Sequence, residues 1–213
     1  MDKQPALVVI GASGHAKVVI DIVEKEGRNR ISYLVDDNVA LHGTSFFGYR
    51  VTGAISSILA GTAGERPMAL VAIGDNSARM RIASWLRGNG VELARAVHPQ
   101  SQIGRGAVIG AGTVIMAGAV VNSDAVVGEN VIVNTGATID HDCVVGDGVH
   151  LAPGVHLCGG VRVGAGAFIG AGSVVIPGIR VGGNAIVGAG STLLEDVSEN
   201  VKAAGSPARK LPA

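Results

Sequence analysis

The chain has 213 residues, and its 17 lysines and arginines balance 17 aspartates and glutamates. With 16% charged residues and no net charge, it offers no basic field for nucleic acid or an anionic membrane surface, so we expect neither as a partner. A share of 47% apolar residues excludes a disordered chain, and 33 glycines without a three-residue period exclude collagen. The N-terminal residues lack a secretory cleavage pattern, and Cys143 and Cys158 form no CxxC pair, so we expect a cytoplasmic protein with reduced thiols.

Residues 1–96 alternate short apolar runs with segments of helical periodicity. The predicted strands and helices, in chain order, are a strand at 6–10, a helix at 16–26, strands at 31–35 and 68–73, and a helix at 78–87. Strands that alternate with helices predict an α/β, Rossmann-like domain over residues 1–96 with a small parallel sheet. Its ligand site is expected beyond the carboxyl ends of the strands.

Small and polar residues follow these strands. They are the candidate substrate-binding residues Gly11, Ser13, Gly14, His15, Asp36, Asp37, Gly74 and Asn76. In the turn GASGH, the glycines let backbone amides approach a phosphate at the start of the next helix, and His15 can add a hydrogen bond. Asp36 and Asp37 can accept hydrogen bonds from a base or a ribose. Two simpler interpretations stay open: the glycines only make a tight turn, and the aspartates cap a loop.

A six-residue repeat begins at residue 97 and keeps its phase through seventeen hexads. Every first position, from Val97 to Leu193, is Val, Ile or Leu, and the fifth positions are nearly all small, so the repeat must be interpreted before anything else. Glycine follows the first-position aliphatic in eight hexads, where the chain needs a positive φ or a close backbone approach. Each hexad is therefore predicted to form one short strand and one corner.

This repeat resembles that of the hexapeptide-repeat acyltransferases, whose left-handed parallel β-helix has three hexads in a triangular coil of eighteen residues. The resemblance implies an all-β left-handed parallel β-helix over residues 97–213, with a C-terminal tail, and it supplies the handedness. Seventeen hexads correspond to between five and six coils. Their apolar outer faces could not all remain in water, and the family's solution is a trimer.

The segment from Asn134 to His150 is unusual because His141 lies outside the aliphatic positions and is followed by Asp142. A carboxylate beside an imidazole can fix its tautomer and raise its basicity, provided that a corner brings the two side chains together. Three histidines within sixteen residues could indicate a metal, but their spacings of nine and six do not resemble those of a carbonic anhydrase with this fold. We therefore predict no metal. For His156, a solvated position is the simpler interpretation.

One coil of eighteen residues places residue 159 over residue 141, at the ~4.8 Å spacing of adjacent strands. Gly159 leaves room there for a thioester, with its amide N–H aimed at the carbonyl oxygen and a base at His141. The same count stacks Pro153, Ala171 and Ala189 into a column along which a pantetheine arm could run. This column is explained equally well if small residues simply suit the corners of the coil.

The chain as a whole resembles the sialic-acid O-acetyltransferase/PglD-like sugar acyltransferases, and within them the nucleotide-linked 4-amino-sugar N-acetyltransferases. The resemblance rests on GASGH, on NTGATIDHDCVVG at residues 134–146, and on Gly205-Ser-Pro-Ala-Arg209. It implies acetyl-CoA as the donor, no metal, a nucleotide-sugar substrate bound by residues 1–96, and acetyl-CoA bound by residues 97–213. It also implies a homotrimer with active sites between subunits.

The resemblance further assigns roles to individual residues. His141 matches the family's catalytic base and Asp142 its acidic partner. His150 matches a second histidine near the thioester, and Gly159 matches the amide donor to its carbonyl. With Ala171 and Ala189 of the small-residue column, His150 and Gly159 form the predicted coenzyme-binding set.

The predicted function is transfer of an acetyl group from acetyl-CoA to the 4-amine of a nucleoside-diphosphate-linked sugar. GDP-perosamine is the acceptor favoured by the resemblance, which places the enzyme in polysaccharide (O-antigen) biosynthesis. Alternative hypotheses are a sugar O-acetyltransferase and a UDP-linked 4-amino-sugar N-acetyltransferase. A non-catalytic trimeric nucleotide-sugar binding protein is a hypothesis of another class, and the placement of His141 beside Asp142 and under Gly159 argues against it.

Overall fold

The computed structural model describes residues 4–60 and 67–212. The chain divides into two compact units, the first ending at Pro99 and the second beginning at Gln100. The prediction about a secretory signal rests partly on residues 1–3, which lie outside the described residues. In the two described ranges, no helix has both the length and the apolar character that crossing a bilayer requires.

The first unit alternates strands and helices, as predicted. Its elements are β1 (Ala6–Ile10), α1 (Gly14–Glu26), β2 (Arg30–Val35), a 3₁₀ helix (Val39–Leu41), β3 (Ser45–Phe46), β4 (Tyr49–Arg50), a 3₁₀ helix (Ile55–Ala60), β5 (Met68–Val71), α2 (Asn76–Gly88) and β6 (Ala96–Val97). Strands β2, β1 and β5 form a parallel sheet in that order, and β3 pairs with β4 in an antiparallel hairpin. The central strand β1 is fully buried from Leu7 to Ile10, so this sheet is the core of the unit.

The second unit is a parallel β-solenoid of about six turns, built from a two-residue strand every six residues. Its strands are β7 (Gln102–Ile103), β8 (Val108–Ile109), β9 (Val114–Ile115), β10 (Val120–Val121), β11 (Val126–Val127), β12 (Ile132–Val133), β13 (Thr138–Ile139), β14 (Val144–Val145), β15 (His150–Leu151), β16 (His156–Leu157), β17 (Arg162–Val163), β18 (Phe168–Ile169), β19 (Val174–Val175), β20 (Arg180–Val181), β21 (Ile186–Val187) and β22 (Thr192–Leu193). From β7 to β19, each strand pairs in parallel with the strand three further along, for example Thr138 with His156. Residue i therefore lies beside residue i+18, and the predicted parallel β-helix is confirmed.

The interior of the coils follows the two apolar positions of the hexad. Every first-position aliphatic from Ile115 to Leu193 is buried, and so are the fifth-position residues over the same range, including Cys143. In the first coil, Ile103 is 41% exposed because a coil at the end of a stack has a neighbouring coil on one side only. Burial of one large and one small residue per hexad leaves a narrow interior without room for larger side chains.

The two explanations offered for glycine belong to different positions of the hexad. At the second position, glycine is needed for close approach: a Cβ on Gly104 would lie 2.7 Å from the backbone of the next coil. A positive φ occurs instead at the fourth position, which is glycine in most hexads but Asp124 and Asp142 at one corner, each with φ of 58°. This left-handed conformation determines the geometry of the candidate site.

The C-terminal segment covers the last coil. Strand β23 (Lys202–Ala204) pairs in parallel with β21, and β24 (Arg209–Lys210) folds back on β23 in an antiparallel hairpin. Val197 pairs with Val181 of β20, and the Ala208 amide donates to the carbonyl of Thr192 in β22. All three sheets of the solenoid therefore continue into this segment.

Candidate active site

His141 and Asp142 form the corner between β13 and β14. The left-handed conformation of Asp142 turns the chain so that its side chain and that of His141 lie together, although neighbours on a straight strand would point apart. The imidazole Nδ1 of His141 is 2.8 Å from Oδ2 of Asp142. A carboxylate only accepts hydrogen bonds, so Nδ1 carries the proton and the neutral ring presents the lone pair of Nε2.

A second carboxylate supports this corner from below. Oδ1 of Asp140 accepts hydrogen bonds from the backbone N–H of His141 at 2.8 Å and from the Asn122 side chain at 3.0 Å. The hydrogen bond from His141 is the main reason that the pKa of Asp140 is lowered. Sequence reasoning missed Asn122 and Asp140, although both occupy second positions of their hexads and are eighteen residues apart. Two polar residues eighteen positions apart indicate side chains stacked on neighbouring coils, and this spacing could have identified the pair.

The imidazole of His141 is open to solvent, with 62% of its side chain exposed. The hydrogen bond to Asp142 raises its pKa above the usual histidine value, and the negative charge of Asp140 adds to this effect. A higher pKa makes the neutral ring a stronger base, but it also requires a higher pH for that neutral form to exist. Geometry and charge together equip His141 to accept a proton at Nε2.

Replacing Asp142 with asparagine is expected to lower the pKa of His141 towards its ordinary value, because the largest cause of the upward shift is lost. The acidic limb of kcat/KM should then move to lower pH, and an NMR titration of the His141 ring measures the same shift directly. Asp124→Asn is the matched control, since Asp124 has the same φ at the same corner one coil below. If the two variants shift the His141 titration equally, the hydrogen bond is not the cause.

Gly159 lies one coil above His141, as the eighteen-residue count predicts. A Cβ at Gly159 would lie 2.7 Å from both Cε1 and Nε2 of His141, and the Gly160 amide donates to the His141 carbonyl at 2.9 Å. Only glycine lets the imidazole rest against this backbone. The Gly159 N–H makes no hydrogen bond to any of the residues that the structure describes.

The other predicted coenzyme-binding residues lie elsewhere on the coil. His150 is on the sheet opposite the His141 corner, where its ring meets that of Phe168 edge to face at 5.2 Å and its Nε2 lies 3.3 Å from the Asn134 side chain. Ala171 stacks over Pro153 at the corner between β15 and β16, and Ala189 follows one coil further. The structure therefore does not bring these residues to His141 within one chain.

In the first unit, the β1–α1 turn is shaped for an anion. Gly11 has φ of 104°, and α1 begins at Gly14 with Ser13 as its N-cap. The Ser13 side chain makes no capping hydrogen bond, and the first turn holds no acidic residue. No capping side chain from Ser13 therefore competes with a phosphate at this helix start, and the helix dipole also favours an anion there. His15 lies half-buried in the first turn.

Asp36 and Asp37 both act as loop caps, the alternative that the sequence left open. The Asp36 carboxylate accepts the backbone N–H groups of Ala12 and Asn38, each at 2.8 Å, and so ties β2 to the glycine turn. Asp37 accepts from Ile55 at 2.9 Å. Each carboxylate oxygen has a second lone pair, so both residues can still accept a hydrogen bond from a ligand.

The loop from Gly74 to Asn76 is held by a buried arginine that sequence reasoning missed. Arg79 is 1% exposed, and its guanidinium donates to the carbonyls of Ile73 and Gly74 at 3.1 Å and to Oδ1 of Asn76 at 2.8 Å. Burial lowers its pKa to about 10, which still leaves it charged at neutral pH. Asn76 thus orders the loop through Arg79.

A cavity of about 380 Å³ adjoins Asp37 in the first unit. Arg81 and Trp85 of α2 line it together with Ile55. A carboxylate, a guanidinium and an indole give it an acceptor, a cation and an aromatic surface. In residues 4–60 and 67–212, no three histidine, cysteine, aspartate or glutamate side chains form a group that could hold a metal ion.

Comparisons with known families match both units. The PglD N-terminal domain family matches residues 6–86. The bacterial transferase hexapeptide family (six repeats) matches residues 106–141, 124–159 and 142–176, and the hexapeptide repeat of succinyl-transferase matches residues 160–195. No curated protein sequence matches the chain.

Solved structures match the chain over almost its whole length. The H141N mutant of perosamine N-acetyltransferase from Caulobacter crescentus, in complex with CoA and GDP-perosamine, is 36% identical, covers 99% of each chain and has a TM-score of 0.93. The acetyltransferase domain of PglB from Neisseria gonorrhoeae FA1090 is 35% identical, covers 97% of this chain and 99% of its own, and has a TM-score of 0.90. WeeI from Acinetobacter baumannii AYE is 28% identical, with coverage of 97% and 99% and a TM-score of 0.89.

Proposed function

Because the chain belongs to the hexapeptide-repeat sugar acetyltransferases with a PglD-type N-terminal domain, we propose that its acceptor is the 4-amine of a nucleoside-diphosphate-linked sugar. The enzyme is a sugar N-acetyltransferase that uses acetyl-CoA. GDP-perosamine is the favoured acceptor, since the 36% identical relative was crystallised with it. The observation that carries the proposal is the His141–Asp142 pair lying directly against Gly159.

His141 acts as the general base of this reaction. Its Nε2 accepts the proton that the amine loses as the nitrogen bonds to the acetyl carbon, while Asp142 stabilises the resulting imidazolium. The Gly159 N–H donates to the carbonyl oxygen, where negative charge develops. The bond from the acetyl carbon to sulfur then breaks, and the departing thiolate takes up the proton held by His141. Acetyl-CoA supplies the activated acyl group, and the missing Cβ at Gly159 lets the His141 ring lie directly against the amide that faces the thioester.

The test offers the purified protein acetyl-CoA with three acceptors: a GDP-linked 4-amino sugar, its 4-hydroxy analogue and a UDP-linked 4-amino sugar. Mass spectrometry of each acceptor should show one added acetyl group on the GDP-linked amine and little on the other two. Faster acetylation of the hydroxy analogue would favour the O-acetyltransferase hypothesis. A preference for the UDP-linked sugar would identify the nucleotide of the acceptor as UDP rather than GDP. The finding that the structural relatives are acetyltransferases excludes the hypothesis of a non-catalytic binding protein.

We further propose that the active site forms between subunits of a homotrimer. His150 and the Pro153–Ala189 column lie on a sheet and a corner that one coil holds apart from His141. A site that contains all of them therefore needs a second copy of the solenoid. Sedimentation equilibrium at micromolar concentration should give three times the mass of one chain, and a monomer mass would remove the shared-site proposal.

Replacing Asp36 with alanine is expected to weaken binding of the nucleotide sugar by about 1 kcal/mol, or about fivefold in Kd. The glycine turn loses the acceptor that holds the Ala12 amide, and the ligand loses an acceptor beside it. Affinity for acetyl-CoA should not change, because its proposed contacts lie in the other unit. Asp21→Ala, on the exposed face of α1, is the control. Calorimetry with each ligand measures both affinities; an unchanged nucleotide-sugar Kd would place the nucleotide elsewhere.

A further inference from the structure

The Cys143 thiol lies inside the coil directly behind the His141 corner. Its side chain is fully buried at the fifth position of the hexad, and Sγ donates a hydrogen bond to the carbonyl oxygen of Cys158 at 3.1 Å. Burial raises the pKa of this thiol, so it keeps its proton and remains a donor at neutral pH. The reaction described above gives Cys143 no role.

The carbonyl that Cys143 contacts belongs to the same peptide group as the Gly159 N–H. A trans peptide is planar, and its C=O and N–H bonds point in opposite directions. Holding the Cys158 oxygen inside the coil therefore turns the Gly159 N–H outward. The outer side of this backbone is where the His141 ring lies, since a Cβ at Gly159 would meet Nε2 at 2.7 Å.

We propose that Cys143 is a positioning residue, whose S–H hydrogen bond orients and polarises the 158–159 peptide group so that the Gly159 N–H faces the thioester oxygen. This inference rests on the proposed function of Gly159. A hydrogen bond accepted by a peptide carbonyl strengthens the N–H of the same group as a donor. It also opposes rotation of the peptide plane, which would turn the N–H away from the developing negative charge.

The corner at Thr113 contains the same interior hydrogen bond but uses the amide that follows differently. Thr113 donates to the carbonyl of Gly128 at 2.8 Å, fifteen residues along, just as Cys143 donates to Cys158. The amide that follows, Glu129 N–H, donates to the Asp147 carboxylate at 2.8 Å. The Gly159 N–H, by contrast, has no acceptor among the described residues. Among the described residues, the same bond recurs at Thr113 and Ser173, but only at Cys143 does the amide that follows lie beside the His141 ring.

The experiment compares Cys143→Ala, Cys143→Ser and the control Thr113→Val. Alanine fits the interior because Ala125 occupies the same column one coil below, and serine suits it because Ser173 donates to a carbonyl from the same hexad position at 3.0 Å. We expect Cys143→Ala to lower kcat by about three- to tenfold, the effect of one hydrogen bond, with KM for acetyl-CoA unchanged. Cys143→Ser should restore kcat, and Thr113→Val should lower the melting temperature without lowering kcat.

Infrared spectra of acetyl-CoA, isotope-labelled at the acetyl carbonyl and bound to each variant, provide a second measurement. The carbonyl stretch should fall in frequency on binding to the wild type, fall less on Cys143→Ala and regain the full shift on Cys143→Ser. A full shift and a wild-type kcat in folded Cys143→Ala would overturn the inference, as would a Cys143→Ser variant no better than alanine. If the wild type itself produces no shift, the proposed Gly159 donor fails, and the inference fails with it.

Discussion

Replacing His141 with asparagine is expected to lower kcat for acetyl transfer by about 10²- to 10⁴-fold, the usual contribution of a general base. Asparagine can hold a hydrogen bond at this corner but cannot take the proton from the amine. Binding of both substrates and the oligomeric state should be preserved, because the His141 side chain is exposed and packs no core. Steady-state kinetics measures the loss, and calorimetry with each substrate checks binding.

His156→Asn is the matched control for this variant, since His156 is an exposed histidine on the adjacent coil whose side chain hydrogen-bonds only to Thr138 among the described residues. It should retain wild-type kcat. In the wild type, kcat/KM should fall on acidification with an apparent pKa above the ordinary histidine value, because Asp142 raises the pKa of His141. That limb should vanish in His141→Asn, after the titration of the substrate amine itself has been subtracted. A His141→Asn enzyme with undiminished kcat would exclude His141 as the base.

Adding one methyl group at Gly159 is expected to cost about 10²-fold or more in kcat, because a displacement of about 1 Å in a catalytic group has an effect of this size. The new Cβ would lie 2.7 Å from Nε2 of His141, so the ring must move. The ring is the mobile end of an exposed side chain, and the fold should therefore tolerate the substitution. Circular dichroism should show a melting temperature close to that of the wild type.

Gly183→Ala is the control for Gly159→Ala, because Gly183 occupies the same position of its hexad and a Cβ there would meet only the Ala165 backbone, at 3.3 Å or more. Ala165, Ala171 and Ala189 already occupy this position in other hexads, so the corner itself accepts alanine. Equal kcat in the two variants would mean that contact with His141 is not the reason why residue 159 must be glycine.

The solenoid could be predicted from the sequence because its narrow interior imposes a strict rule on each hexad. A large aliphatic at the first position and a small residue at the fifth are required by packing, and both were visible without coordinates. The sequence did not show which position of the hexad needs a positive φ. Glycine at the second position allows a close backbone approach, whereas the positive φ occurs at the fourth position, where Asp142 is not a glycine. The hairpin of β3 and β4 was also missed, because strands of two residues leave too short an alternating pattern.

The candidate site could be predicted only where residue counting fixes a contact. Counting eighteen residues placed Gly159 over His141, and the structure has that contact. Counting could not find the buried Arg79, whose guanidinium turns back onto the loop before its own helix. Nor could it show that Asp36 holds the Ala12 amide, since that depends on side-chain rotamers rather than on register.

The C-terminal segment has a consequence for the association of whole molecules. A parallel solenoid ends in three rows of unpaired backbone donors and acceptors, which could template the first coil of another molecule and start fibre growth. In this chain, Val197, β23 and the Thr192–Ala208 hydrogen bond occupy all three rows, and β24 runs antiparallel to the strand it covers. A reversed strand cannot continue a parallel stack. The segment therefore covers this end of the solenoid and opposes its end-to-end pairing with another molecule.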